Sequence, residues 1–126
     1  MWYETTFAPK ERLVTLTTHG DLTAERLIEM LTKLLGDPRW EPRLNTLVDH
    51  RNSSPENFSL NDLNQVSQWV VAHKERFGHG RCAIVAPEGE MTKISMWIIL
   101  TRPDIDLDLQ MFQSSTAARQ WLDRPG

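Results

Sequence analysis

Two short apolar runs limit how this chain can fold. Leu44-Asn45-Thr46-Leu47-Val48-Asp49-His50-Arg51 reads as a buried strand that runs into a charged turn. Arg81-Cys82-Ala83-Ile84-Val85-Ala86 is a short continuous apolar stretch, the pattern of a central parallel strand covered on both faces. A stretch with helical spacing precedes each run. Alternation of this kind requires crossover connections, which are right-handed, and therefore a mostly parallel sheet.

The remaining elements follow from local signals. Trp2 to Phe7 and Leu13 to Thr17 are β-rich and separated by Ala8-Pro9-Lys10-Glu11, a hairpin signature, after which His19-Gly20-Asp21 punctuates the chain. Thr23 is a good N-cap, Leu22 and Leu27 are placed to staple the helix start, and Leu27, Ile28, Leu31, Leu34 and Leu35 form one apolar stripe that Gly36 and Pro38 end. Ser59 with Asp62 makes a capping box for a second helix, with Phe58 and Leu63 as its staple and Leu63, Val66, Val70, His73 and Phe77 as its inward stripe. Gly78 and Gly80 form its exit turn. Pro87 and Gly89 lead into a third helix over about Met91 to Leu100. Leu107 to Phe112 alternates as a half-exposed edge strand, and Ser114 or Ser115 caps a last helix presenting Ala118, Trp121 and Leu122.

The expected fold class is thus α/β: one domain over residues 1–126, elements in the order ββαβαβαβα, and a mostly parallel five-stranded sheet with its first strand antiparallel at one edge. A chain of 126 residues supports one sound core. Its net charge of -3 argues against a nucleic-acid partner, since no basic face is suggested. The start, Met1-Trp2-Tyr3-Glu4, lacks a basic segment followed by an apolar run, and the longest apolar stretch, near Met96 to Leu100, is too short to cross a membrane. The single Cys82 excludes an internal disulfide and fits a reducing, cytoplasmic setting.

Four segments in this order, Gly36-Asp37-Pro38-Arg39-Trp40, Leu47-Val48-Asp49-His50-Arg51, Ala83-Ile84-Val85-Ala86 and the closing Phe112 with Ala117-Ala118-Arg119-Gln120-Trp121-Leu122, make the chain similar to the SpoIIAA-like family within the STAS-type fold of anti-sigma-factor antagonists. The resemblance spans nearly the whole chain. It implies a small cytosolic protein without assigned activity, and fold kinship with lipid-carrying domains. Antagonists of this type carry a phosphorylatable serine in an Asp-Ser-x-Gly-Leu turn. Here Asp49 matches, His50 occupies the serine position and the Gly-Leu pair is absent. Ser53 and Ser54 fall in what reads as a long loop, and Ser59 is explained as a cap, so no phosphorylation site is assigned.

Asp49, His50 and Arg51 are a carboxylate, an imidazole and a guanidinium at the carboxyl end of a parallel strand, where ligands of open α/β sheets bind. Together they suit anion binding or acid–base chemistry. The reading favoured here is structural: Asp49 accepts from backbone N–H groups of the following turn and pairs with Arg51. No catalytic residue is assigned, because no serine, cysteine or lysine stands beside them as an obvious nucleophile. His73, His79 and Cys82 fit no common zinc spacing; His73 reads as a helix-face histidine with a local partner, Cys82 as a small buried hydrophobe, and no metal or cofactor is expected. The expected third helix is apolar over more than one face. Met96 and Trp97 mark the extra surface, which must meet the final helix, a second copy, a membrane surface or an apolar ligand. The sequence therefore indicates a non-catalytic protein-interaction or regulatory module, with Asp49, His50, Arg51, Met96 and Trp97 as candidate binding residues and self-association open. The alternative is a carrier or sensor of a small apolar molecule or lipid.

Overall fold

The computed structural model describes residues 1–78, 80–86, 89 and 108–124. The expected helix over 91–100, with Met96 and Trp97, lies outside them, as does His79.

Strand β1 (Trp2–Ala8) turns through a 3₁₀ segment, Pro9–Glu11, into β2 (Leu13–Asp21). Helix α1 (Ala24–Gly36) leads to β3 (Asn45–Ser54), and α2 (Leu60–Ala72) with the short α3 (Lys74–Phe77) leads to β4 (Arg81–Val85). Strand β5 (Asp108–Phe112) and α4 (Ser115–Leu122) complete the described residues. The sheet order is β1-β2-β3-β4-β5; β1 runs antiparallel to β2 and every other pairing is parallel. This is the expected α/β architecture, with β1 and β5 as the two edges.

The helices begin where side chains satisfy their first N–H groups. Thr23 accepts from the Arg26 N–H, Ser59 and Asp62 form the reciprocal capping box, and Ser114 accepts from the Ala117 N–H. Such a cap contributes about 1 kcal/mol. Consecutive strand residues then enter opposite layers. Val14, Leu16 and Val48 pack with Leu27, Met30, Leu34 and Leu63 in a core on the α1–α2 face. Leu13, Leu47, Ala83 and Val85 pack with Ala118 and Leu122 on the α4 face. Burial on both faces explains the continuous apolar runs. Asn45 ties the layers together: its amide N–H donates to the Leu122 carbonyl at 3.2 Å while its side-chain oxygen accepts from the Arg81 N–H at 3.0 Å.

Three local expectations are corrected. His19-Gly20-Asp21 does not end β2; the strand runs through them, with Gly20 at a φ of 82°. Strand β3 does not end at Asp49. It continues to Ser54 because β2 supplies ladder partners, pairing His19 with Asn52, Gly20 with Ser53 and Asp21 with Ser54. Ser53 and Ser54 are strand residues, not loop residues. The pairing of β3 with β4 does stop at Asp49, opposite Val85, so the last part of β3 overhangs β4. The inward stripe of the second helix is also interrupted. His73 is the C-cap of α2, and Phe77 belongs to α3. At the following turn a Cβ on Gly80 would run into the Leu44 carbonyl, so only glycine lets β4 start this close to the end of the α1–β3 connection.

Candidate functional site

Helices α1 and α2 do not close completely onto the sheet. Between them lies a cavity of about 130 Å³. Its floor is Thr46, Val48 and His50 of β3, Cys82 and Ile84 of β4, and Leu109 of β5; its walls are Leu27, Met30 and Leu31 of α1 and Leu63, Val66, Ser67 and Val70 of α2. Trp40 and Phe77 stand at one end, edge to face with centroids 6.3 Å apart, and Trp69 packs on Phe77 in the same manner at 6.2 Å. The Trp40 indole N–H donates to the Arg76 carbonyl at 3.1 Å, which fixes the ring. Aliphatic and aromatic groups thus supply most of the wall.

His50 forms the polar end. Between the pairs Thr17–Asp49 and His19–Asn52, Thr18 alone faces both His50 and Arg51, a β-bulge that re-aims the side chains around it. Thr18 is fully buried, and its Oγ1 lies 2.7 Å from His50 Nδ1, 2.6 Å from Ser53 Oγ and 3.3 Å from the Asp49 carbonyl oxygen. The hydroxyl has one proton for these three neighbours, so Ser53 or His50 must donate to it whenever it donates elsewhere. This network orients the imidazole and takes up Nδ1. Burial pushes the His50 pKa down from 6.5 to about 4, against the opposing pull of the Asp49 charge, so the ring is neutral at neutral pH.

Asp49 and Arg51 do not share this cavity. Strand alternation puts Asp49 on the face of Leu47, opposite His50. Its carboxylate accepts from the Arg51 backbone N–H at 3.0 Å and from the Arg51 guanidinium Nη2 at 2.8 Å. Those hydrogen bonds lower the Asp49 pKa and raise that of Arg51. The structural reading of Asp49 is therefore the observed one, and a joint acid–base site with His50 is not formed. His73 has the local partner expected of it, Nδ1 lying 2.7 Å from the Trp69 carbonyl oxygen with the ring stacked on Trp69. Cys82 is half-buried in the cavity floor, and desolvation pushes its thiol up to about 12, so it stays protonated. Among the described residues no group of three His, Cys, Asp or Glu is placed to hold a metal.

Ser53, expected in a loop, stands in β3 beside Thr18, and two further residues of the site, Thr18 and Ser67, carry signals in the sequence. Thr18 continues the period-two series Val14, Leu16 onto the same face. Ser67 is a buried serine on the stripe of Leu63 and Val70, four residues after one and three before the other.

A sheet in this order, with α1 and α2 on one face and α4 on the other, defines an α/β module, and comparison with solved structures names its type. The chain is similar to an uncharacterised protein of the DUF3478 family with a SpoIIAA-like fold from Shewanella loihica PV-4. The two share 18% sequence identity at a TM-score of 0.60, over 96% of this chain and 92% of that one. The fold is SpoIIAA-like, in agreement with the sequence resemblance. No family model matches the chain, and no curated protein matches it in sequence. Among the described residues no helix is long and apolar enough to cross a membrane.

Proposed function

We propose that this protein is a non-catalytic, cytoplasmic binding module that holds a small apolar molecule between α1, α2 and the sheet. The observation that carries this reading is the cavity of about 130 Å³ with mainly apolar walls. An engineered dry cavity of about 150 Å³ takes up benzene or xenon, so a space of this size accepts a ligand of comparable bulk. It is far smaller than the ~300–1,000 Å³ of pockets that enclose drug-sized ligands, which argues against a long-chain lipid lying wholly inside. The neutral His50 and protonated Cys82 add no charge to the floor, and Arg81, also in the lining, is engaged by the Trp121 and Arg124 carbonyls and by Asp108.

Benzene titration followed by methyl NMR tests the proposal. The methyl signals of Leu27, Leu31, Val66 and Ile84 should shift saturably, with a dissociation constant in the millimolar range or tighter. Shifts that never saturate, or that fall on other methyl groups, would reject it.

Recognition of a protein partner or a second copy, expected from the sequence, would serve as the readout of occupancy in such a module, with Arg51 and the overhanging end of β3 as the exposed surface next to the polar end of the cavity. Native mass spectrometry with and without benzene should then show a change in oligomeric state. A monomer under both conditions would count against self-association.

A further inference from the structure

We infer that the cavity selects a neutral molecule, an apolar body bearing one uncharged hydrogen-bonding group, and seats that group against Nε2 of His50. The inference rests on the ligand-binding reading above and specifies its chemical class. Nδ1 of His50 is held by Thr18 at 2.7 Å, and Thr18 is in turn held by Ser53 at 2.6 Å. With Nδ1 taken up by Thr18, Nε2 is the ring nitrogen left to meet a ligand where His50 lines the cavity. A ligand hydroxyl or carbonyl that reaches this nitrogen gains a hydrogen bond that the apolar walls do not offer.

Either form of the network accommodates such a group. If Thr18 donates to Nδ1, then Nε2 carries the proton and a ligand oxygen accepts from it. If Nδ1 donates to Thr18, then Nε2 accepts from a ligand hydroxyl. A hydroxyl meets both cases. An anion does not, because the imidazole resists protonation in this setting. Among the described residues the cation that lines the cavity, Arg81, is committed elsewhere: Nη1 donates to the carbonyls of Trp121 and Arg124, each at 2.8 Å, and Nε lies 3.5 Å from the Asp108 carboxylate. A carboxylate ligand would therefore lose its hydration without gaining a counter-charge.

The test uses benzene, phenol and benzoate as probes of nearly equal size, titrated into the intact protein at pH 7.5 with methyl NMR as the readout. Phenol should bind roughly threefold to tenfold more tightly than benzene, the range expected for one neutral hydrogen bond, and benzoate more than tenfold more weakly than benzene. His50→Leu should erase the advantage of phenol, read as the ratio of phenol to benzene affinity in the same variant. If benzene equals or exceeds phenol, if benzoate binds best, or if the phenol advantage survives in His50→Leu, this inference falls while the cavity-binding proposal stands. If none of the three probes gives a saturable shift, both fall. The order of the probes in the wild-type protein decides the matter even if His50→Leu does not fold.

Discussion

Ser67→Phe should weaken benzene binding at least a hundredfold while leaving the protein folded. Ser67 lies on the inward face of α2, is 5% exposed, and borders the cavity between Leu63 and Val70. A phenyl ring at this position enters the space that a benzene molecule would occupy, and a cavity of about 130 Å³ cannot hold both. Large side chains forced into a full core cost about 1–3 kcal/mol, but here the volume already exists. Helix propensity does not oppose the change, since serine and phenylalanine rank together. Burial of the new apolar surface instead contributes about 1–3 kcal/mol, offset in part by lost rotamer freedom. The melting temperature should therefore hold or rise. Calorimetric melting and a benzene titration on the same variant check both halves. Retained benzene affinity would place the binding elsewhere, and a large loss of stability would mean that the space between α1 and the sheet is already filled.

What the sequence made legible follows the range of the interactions involved. Caps at Thr23, Ser59 and Ser114 depend on side chains within three residues of the N–H groups they satisfy, so they can be read locally. The apolar runs of β3 and β4 report burial on both faces, which is enough to infer a parallel sheet. The end of β3 is a different case. Residues 50–54 are polar, and nothing local keeps them extended; they stay in the sheet because β2, more than thirty residues earlier, continues alongside them. That pairing also creates the bulge that brings Thr18 to His50, so the polar network was hidden for the same reason. A place at a strand end marks His50 as a candidate binding residue, whereas its geometric role comes from the face it occupies. The cavity is harder still to foresee. Leu27, Val66, Val70 and Ile84 would read identically in a filled core, because an empty volume is a difference between facing surfaces and belongs to no single residue.

Stability should fall by about 2 kcal/mol between pH 7 and pH 5, and His50→Leu should remove most of that fall. His50 titrates at 6.5 in the absence of burial and at about 4 in the folded protein. Between these values the unfolded chain binds more protons than the folded one, so the slope of stability against pH is positive. The contribution is present in full above about pH 6.5 and is lost as the pH falls through the window toward 4. Over the whole window a shift of this size corresponds to about 3–4 kcal/mol, of which the interval from pH 7 to pH 5 samples a little over half. Carboxylates held low by cationic partners, Asp49 by Arg51, Asp37 by Arg39 and Glu29 by Lys33 and Arg26, act in the same direction but mainly below pH 5, since their ordinary values are 3.8 for the aspartates and 4.5 for the glutamate. Urea denaturation at the two pH values measures the difference for each protein separately, so any change in absolute stability caused by His50→Leu cancels. The same protonation would put a positive charge into the apolar cavity. In the folded protein that charge arises only as the pH approaches 4, so benzene affinity should hold from pH 7 to pH 5 and decline below pH 5 in the wild-type protein but not in the variant. A wild-type slope that persists in His50→Leu would show that the imidazole is hydrated in solution, and would remove the desolvated polar end on which recognition of a neutral ligand depends.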